Sequence, residues 1–476
     1  MNTQPADRAP HVVIAGGGIT GLSAGWYLQQ EAARRGISLD YNILEQSPRW
    51  GGKVRTEQVE SPGHAPFILE AGADAFITRK PWALELARDL GLDERILPVS
   101  QTRTFVLHGG RPVPLPDGLQ LLVPTRLMPF LRSPLFSLRG KLRTGLDWLI
   151  PPRRSDEDET LASFVRRRLG AEMLDRLAEP LLGGVYNGDP ERQSIAATFP
   201  QFPALERQYG SLIRGMRATQ PERSASPFIS FETGAQEIVG ALVTQLRGSL
   251  QLNTAVRCIE RLPDQRYRVL TTSEGALEAD AVILTTPAYV TAKLLHDLAP
   301  AAAQHLSAIR YAGIGTAYFA FRREHVPHPL DGAGVVIPGS ERRRIDGVTW
   351  TSSKWSGRAP SGYALLRVFF GGPRTRDTLK LEEAELVAVV RDELQAIFGI
   401  SAPPLFHRIY RWEDGYPQYD IGHLERVAAA ERALPAGVVA AGSAYHGVGV
   451  PDCVRQGREA AEKVAAMVGE RVGEGV

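Results

Sequence analysis

Cysteine is almost absent: Cys258 and Cys453 are the only two in 476 residues, and their spacing builds neither a zinc site nor a disulfide framework. A reducing cytoplasm is the compartment this suggests. No apolar run approaches the roughly 18 residues of a membrane-spanning helix. The nearest, Val12 to Ile19, has a strand's length and ends among glycines. The start, MNTQPADRAPHVVI, lacks a basic segment followed by an apolar one, so export is not expected. Lysine is scarce too, 7 against 48 arginines. That excess suits bidentate carboxylate and phosphate contacts, and a high-GC codon bias would produce it without any function. A formal charge of +2 is too balanced for a generic nucleic-acid binder. There is no internal repeat and no low-complexity segment.

What is present is ordinary globular composition, 43% hydrophobic and 23% charged, over a length that allows two or three domains. The first segment reads strand (His11–Ala15), glycine turn (Gly16–Gly21), helix to about Arg35, then strand (Tyr41–Glu45). The texture changes at Ile96. From there to Ser155 nine Arg or Lys face two acids, Asp117 and Asp147, with Leu, Phe, Met and Trp interleaved. Broken by prolines, this predicts short amphipathic helices that either rest on an anionic membrane or form a helical subdomain with snorkelling arginines. Residues 156–203 are helical in pattern, with Leu161, Phe164, Val165 and Leu169 on one face, and 208–227 look like a polar connector. Strands return at Arg266–Thr271, Ala281–Thr285, Gly315–Phe321, Gly347–Thr351 and Leu365–Phe370, a helix covers Glu382–Phe398, and the last 40 residues read strand, glycine-rich loop, helix.

The motif G-x-G-x-x-G occurs as Gly16, Gly18 and Gly21. In such a turn the first glycine allows the bend, the second lets backbone approach a pyrophosphate, and the third lets helix and strand pack. The motif alone is weak. Here a strand precedes it, a helix follows, and a second strand ends at Glu45, whose carboxylate suits ribose hydroxyls. The glycine pair Gly51-Gly52 and Lys53 then fit a loop running along an extended dinucleotide. Gly72, Ala73, Asp74 and Ala75 would let backbone lie against a flat ring; read alone, they are a plain turn. The strand Ala281–Thr285 and the C-terminal Val438–Ser443 strand, loop and helix complete a flavin site, the helix N-terminus facing the ring's electron-rich edge. His446, in that glycine-rich loop, is given no catalytic role. The cluster Gly332–Gly339 is followed by strand formers and Pro338 rather than a helix, so no second dinucleotide fold for NADPH is read. One flavin without a nicotinamide domain implies an oxidase or desaturase.

GGGITGL (16–22), GGK (51–53), EPLLGGVYNGDP (179–190), ATFPQF (197–202), TWTSSKW (349–355), PQYDIGH (417–423) and GSAYHGVGVPDCVRQG (442–457) resemble the flavin amine-oxidase superfamily, and within it the protoporphyrinogen and coproporphyrinogen oxidases, over nearly the whole chain. Soluble bacterial members that oxidise coproporphyrinogen III resemble this sequence more closely than the membrane-bound mitochondrial ones. The resemblance implies an α/β fold: a discontinuous FAD-binding Rossmann-like domain (8–95, 223–300, 405–476), an inserted helical subdomain (96–222) and a sheet-rich substrate domain (301–404). It places FAD contacts at Gly16, Gly17, Gly18, Ile19, Thr20, Gly21, Glu45, Lys53, Gly72, Ala73, Asp74, Ala75, Val256, Trp412, Ser443, Val448, Gly449 and Val450. Gly184 and Val185 line the porphyrinogen cavity in this reading, Lys80 beside Arg79 anchors a propionate, and a further anchor falls on either Arg103 or Thr104.

The implied chemistry is hydride removal from a methylene bridge to the flavin N5, loss of a pyrrole proton and tautomerisation, carried out three times in all, with oxygen reduced to hydrogen peroxide each time. The flavin carries this chemistry, so no catalytic acid or base and no metal is assigned. Protoporphyrinogen IX oxidation is the alternative; another amine oxidase, or a non-enzymatic carrier on the same scaffold, is a further one. The partners implied are the porphyrinogen and oxygen, with hand-over to a ferrochelatase and a peripheral contact on the inner face of the cell membrane as additional expectations.

Overall fold

A computed structural model describes residues 8–473 except 62, 121, 220–225 and 274. Its organising element is a five-stranded sheet, all of whose pairings are parallel, in the order Ser249–Gln251, Asp40–Leu44, His11–Ala15, Ala281–Leu284, Val438–Ala440. The central strand has Val13 opposite Asn42 on one side and Val282 on the other. Its apolar run follows from that position, since a parallel sheet is covered on both faces. Alternate side chains separate accordingly: Val12 and Ile14 join one core with Leu22, Ile43 and Val454, whereas Val13 and Ala15 join another with Leu44, Val282 and Leu284. Val12, Val13 and Ile14 are fully buried, and each such valine or isoleucine contributes roughly 1.5–3 kcal/mol. The helices Ile19–Arg35, Glu237–Gln245 and Val450–Gly473 cover the first face. The second carries the antiparallel meander Val256–Arg261, Tyr267–Thr271, Ala276–Ala279 with the helices Pro300–Ser307 and His423–Arg432.

A second, seven-stranded sheet runs Phe406–Pro417, Tyr311–Arg322, Tyr363–Phe370, Gly347–Trp350, Gly334–Val336, Thr104–His108, Arg111–Pro114. Only the pairing of Gly334–Val336 with Thr104–His108 is parallel. The helix Glu383–Phe398 lies on it, burying Leu386, Val390, Leu394 and Ile397 against Phe319, Leu366 and Val368. A third, helical region packs Phe164, Leu177, Phe202 and Ile213 into one core. Within it Leu174–Gly183 winds as a wide π-helix containing Pro180, a residue that has no N–H for an ordinary helical bond. Arg168 and Asp147 are both fully buried there and joined by a 2.5 Å ion pair; Asp147 also accepts from Ser211 Oγ at 2.5 Å and from Ile213 N at 2.9 Å. Loss of either partner would strand a buried charge, at about 3–5 kcal/mol.

Three expectations change. Residues 96–124 are mostly short strands, and helices begin only at Leu127–Arg132 and Leu138–Gly145. The strands Thr104–His108 and Arg111–Pro114, read as part of a helical insert, extend the seven-stranded sheet, as does Phe406–Pro417 from the segment assigned to the dinucleotide domain. The polar connector contains the helix Leu212–Ala218, because Ser211 caps it and Leu212, Ile213 and Met216 reach the core; residues 220–225 of it lie outside the described residues.

Candidate active site

At the carboxyl end of the parallel sheet the chain turns at Gly16, whose φ of +111° suits glycine and whose added Cβ would sit 2.7 Å from Thr285 Oγ1. Thr285 Oγ1 braces the turn, donating to the Ala15 and Gly16 carbonyls at 2.9 Å. At Gly21 an added Cβ would fall 1.9 Å from the Gly16 oxygen, so only glycine lets the helix approach the strand. Gly18 differs: an added Cβ meets no protein atom within 4 Å. The helix Ile19–Arg35 starts there with no side-chain cap and no acid in its first turn. Its free N–H groups and positive dipole end therefore face open space.

Glu45 accepts from Gly17 N at 2.7 Å and from Ser47 N at 2.8 Å, which orients its carboxylate beside the turn. The second glycine loop lies along the first, Gly51 N donating to the Gly17 oxygen at 2.8 Å. Thr254 N reaches the Glu45 oxygen at 2.8 Å and so brings Val256, at the start of its strand, to the same edge. Thr20 and Ile19 are buried under the C-terminal helix, where Gly457 permits contact with the Thr20 backbone.

Further along, Lys53 reaches the Gly415 carbonyl, and burial pushes its ammonium below the ordinary value. Gly72 passes so close to Lys53 that an added Cβ would be 1.9 Å from the Lys53 oxygen. Trp412 Nε1 donates to the Ala71 carbonyl at 2.8 Å, pinning the Gly72–Ala75 segment from the other sheet. Asp74 does not project freely. Its Oδ2 accepts from Lys354 Nζ at 2.7 Å and Arg367 lies 3.8 Å away; these cations outweigh burial and hold the carboxyl well below the usual range. Arg367 also donates to the Gly72 carbonyl at 2.7 Å.

The C-terminal loop is held by Tyr419, whose hydroxyl donates to the Ser443 carbonyl at 2.9 Å and accepts from Gly447 N at 2.7 Å. Tyr419 stacks on buried His423 at 3.8 Å and lies 5.3 Å from the Tyr186 ring. Burial lowers the His423 imidazole to about 4. Val448 packs on the helical core, and Gly449 and Val450 begin the last helix. His446 is on the surface, 2.7 Å from Glu431.

A cavity of about 270 Å³ lies between the Glu179–Gly188 stretch and the loops at 337–346 and 372–375. Gly184 lines it; Val185 is about half exposed and does not. The basic residues expected to anchor propionates are differently engaged. Lys80 Nζ bonds both carboxylate oxygens of Asp452 at 2.7 Å, a partner 372 residues away. Arg103 pairs with Asp331 at 2.8 Å on the surface and lies over the Phe105 ring. Arg79 is exposed.

The profile of a family described as flavin containing amine oxidoreductase matches residues 19–465. The chain belongs to that family. It is an FAD-dependent oxidoreductase. Over 467 aligned residues it is 34% identical to the coproporphyrinogen III oxidase of Bacillus subtilis (strain 168), covering 96% of this chain and 98% of the relative. A chloroplastic protoporphyrinogen oxidase of Oryza sativa subsp. japonica is 31% identical over 95% of this chain and 88% of its own. A solved structure from Exiguobacterium sp. 255-15, assigned as a protoporphyrinogen oxidase, superposes with a TM-score of 0.85 at 31% identity, covering 96% and 99%.

In this flavin oxidoreductase, reading the sequence alone missed Lys354, Arg367 and the cavity arginines Arg342, Arg343 and Arg374. Arg367 carried a signal, a charge inside the otherwise apolar run Ala364–Phe370. The cavity arginines carried none, since they stand in loops that only the fold brings together. Among the described residues no cluster of three or more His, Cys, Asp or Glu is placed to hold a metal ion, and no helix is long and apolar enough to cross a membrane.

Proposed function

We propose that this enzyme oxidises coproporphyrinogen III to coproporphyrin III with oxygen as acceptor and hydrogen peroxide as by-product. The observation that carries the reading is the end-to-end likeness to the Bacillus enzyme of that name, at 34% identity over 96% of the chain. The charge of the cavity supports the same choice. Coproporphyrinogen III bears four propionates and protoporphyrinogen IX only two, so its site must offer more cations or water. Oxidation of protoporphyrinogen IX is the second reading, favoured by the rice and Exiguobacterium relatives. Aerobic turnover of coproporphyrinogen III by the purified yellow protein, with porphyrin and peroxide appearing together, tests the proposal. A colourless chain that FAD cannot reconstitute would favour a carrier instead.

In this reading Gly16–Gly21 hold the FAD pyrophosphate, Glu45 and the Val256 backbone the adenosine end, and Lys53, Gly72–Ala75, Trp412, Ser443 and Val448–Val450 the ring end. The open space at Gly18, beside an uncapped helix N-terminus, fits a diphosphate. When bound, FAD supplies the two-electron oxidation and its coupling to oxygen. The chain's part is positioning. Lys80 neutralises Asp452 in the first turn of the last helix, so that this helix end keeps its positive character toward the ring. The domain division at about 96, 223, 301 and 405 is part of the same reading, adjusted by the strands that cross it.

A peripheral membrane contact is supported by one surface. Of the thirteen exposed large apolar side chains among the described residues, eight lie between Leu127 and Leu149, including Met128, Leu138, Leu142 and Leu149. Arg126, Arg132 and Arg139 are exposed among them. Apolar groups flanked by arginine match an anionic bilayer. A metal-free porphyrin is the substrate class of a metal chelatase, which makes a ferrochelatase the onward partner.

A further inference from the structure

We propose that the cavity beside Gly184 is a carboxylate-binding pocket, in which Arg342 and Arg374 receive the propionate arms that coproporphyrinogen III carries where protoporphyrinogen IX has vinyls; this rests on the porphyrinogen-oxidase reading above. At about 270 Å³ it is smaller than the roughly 300–1,000 Å³ of a pocket enclosing a whole ligand, so it takes the edge of a macrocycle. Its cations converge from two loops that the fold holds in place. Glu341 accepts from Gly109 N at 2.8 Å and from Gly110 N at 3.0 Å, tying the 339–344 turn to the neighbouring hairpin. Asp346 accepts from Gly372 N at 2.9 Å and from Thr375 Oγ1 at 2.7 Å, fixing the loop that carries Arg374.

Arg342 sits in the left-handed region with φ of +53°, a strained conformation for a residue with a side chain. Among the described residues no carboxylate or carbonyl partners its guanidinium, whereas Arg343 next to it already shares Glu393 at 3.4 Å. Arg374 lies across Gly339 and pairs with Glu179. Burial raises the Glu179 carboxyl to about 7, against the pull of Arg374. Glu179 thus occupies Arg374 as an internal carboxylate that a substrate propionate replaces, with Glu179 taking up a proton from solvent as it loses its cation. A carboxylate ligand fits a guanidinium fork in two parallel hydrogen bonds, which favours propionate over an apolar vinyl.

The test is binding of the porphyrin products to the FAD-loaded enzyme, followed by the Soret shift and by quenching of flavin fluorescence. Arg374→Gln and Arg342→Gln should each raise the Kd for coproporphyrin III by roughly tenfold or more, with the change for protoporphyrin IX below about threefold, and Glu179→Gln should tighten coproporphyrin. The exposed Arg342 is the variant least able to disturb folding, and unchanged flavin content and Tm check both. Equal effects on the two porphyrins, or none in either arginine variant, would overturn the pocket. Failure of the wild type to bind or oxidise either tetrapyrrole would overturn the function instead, so the two failures are distinguishable.

Discussion

A Cβ added at position 18 would meet no protein atom within 4 Å, whereas one at position 21 would be driven into the Gly16 carbonyl. The two glycines therefore separate cofactor binding from folding. Gly18→Val is expected to leave the unfolding free energy of the FAD-free protein unchanged within about 0.5 kcal/mol, as substitutions clear of packed groups usually do, yet to abolish retention of FAD through gel filtration. Stoichiometric FAD in that variant would contradict the placement of the pyrophosphate. His423 provides a second test at this scale. Its imidazole, stacked on Tyr419, is held neutral mainly by burial, against the hydrogen bond to the Tyr445 carbonyl, with Arg426 and His446 adding to the effect and Asp420 opposing it. A base depressed from 6.5 to about 4 in the folded state contributes stability above pH 6.5 and loses it as pH falls toward 4, because the unfolded chain takes up the proton first. The total is on the order of 3 kcal/mol at about 1.4 kcal/mol per pH unit. Since His423 supports the Tyr419 that ties Ser443 and Gly447, flavin release should rise over the same window, as flavin fluorescence will report. His423→Phe should flatten the pH dependence of Tm; an unchanged slope would show that this histidine is not its source.

At the scale of elements, the first strand, the end of the helix and the second strand were legible within a residue, because apolar alternation and helical period agree there, whereas the helix begins at Ile19, inside the segment read as the glycine turn. The strands Thr104–His108 and Arg111–Pro114 were not. Prolines flank or interrupt them, and what makes Thr104–His108 a strand is Gly334–Val336, a partner some 230 positions away that no local window contains. The same distance hid the Lys80–Asp452 pair: the sequence marks a lysine after a flavin-type turn and cannot mark the acid that takes its charge. The helices from Leu127 to Gly145 carry the element-scale prediction. Each arginine near an anionic surface contributes on the order of 1 kcal/mol, so sedimentation with phosphatidylglycerol vesicles should be strong at low salt and lost near 0.5 M, with no binding to neutral vesicles. Leu138→Ser combined with Leu149→Ser should weaken it. Equal absence of sedimentation with both lipids at low salt would return these helices to a plain subdomain surface.

For the whole molecule, the parallel sheet ends in the glycine turns that we assign to the cofactor, and the seven-stranded sheet meets them through Trp412, Lys53 and Arg367. Between the second sheet and the π-helical stretch lies the arginine-lined cavity. The glycine turns were readable because the tight turn and the close helix–strand approach need glycine at fixed spacing. The proposed substrate pocket was not, because its arginines stand in loops that only the fold brings together. The central claim is therefore one of substrate choice, and competition under identical oxygen between coproporphyrinogen III and protoporphyrinogen IX measures it most directly. A higher kcat/KM for coproporphyrinogen III is the result expected from the cavity's charge and the Bacillus likeness; a higher kcat/KM for protoporphyrinogen IX would contradict it.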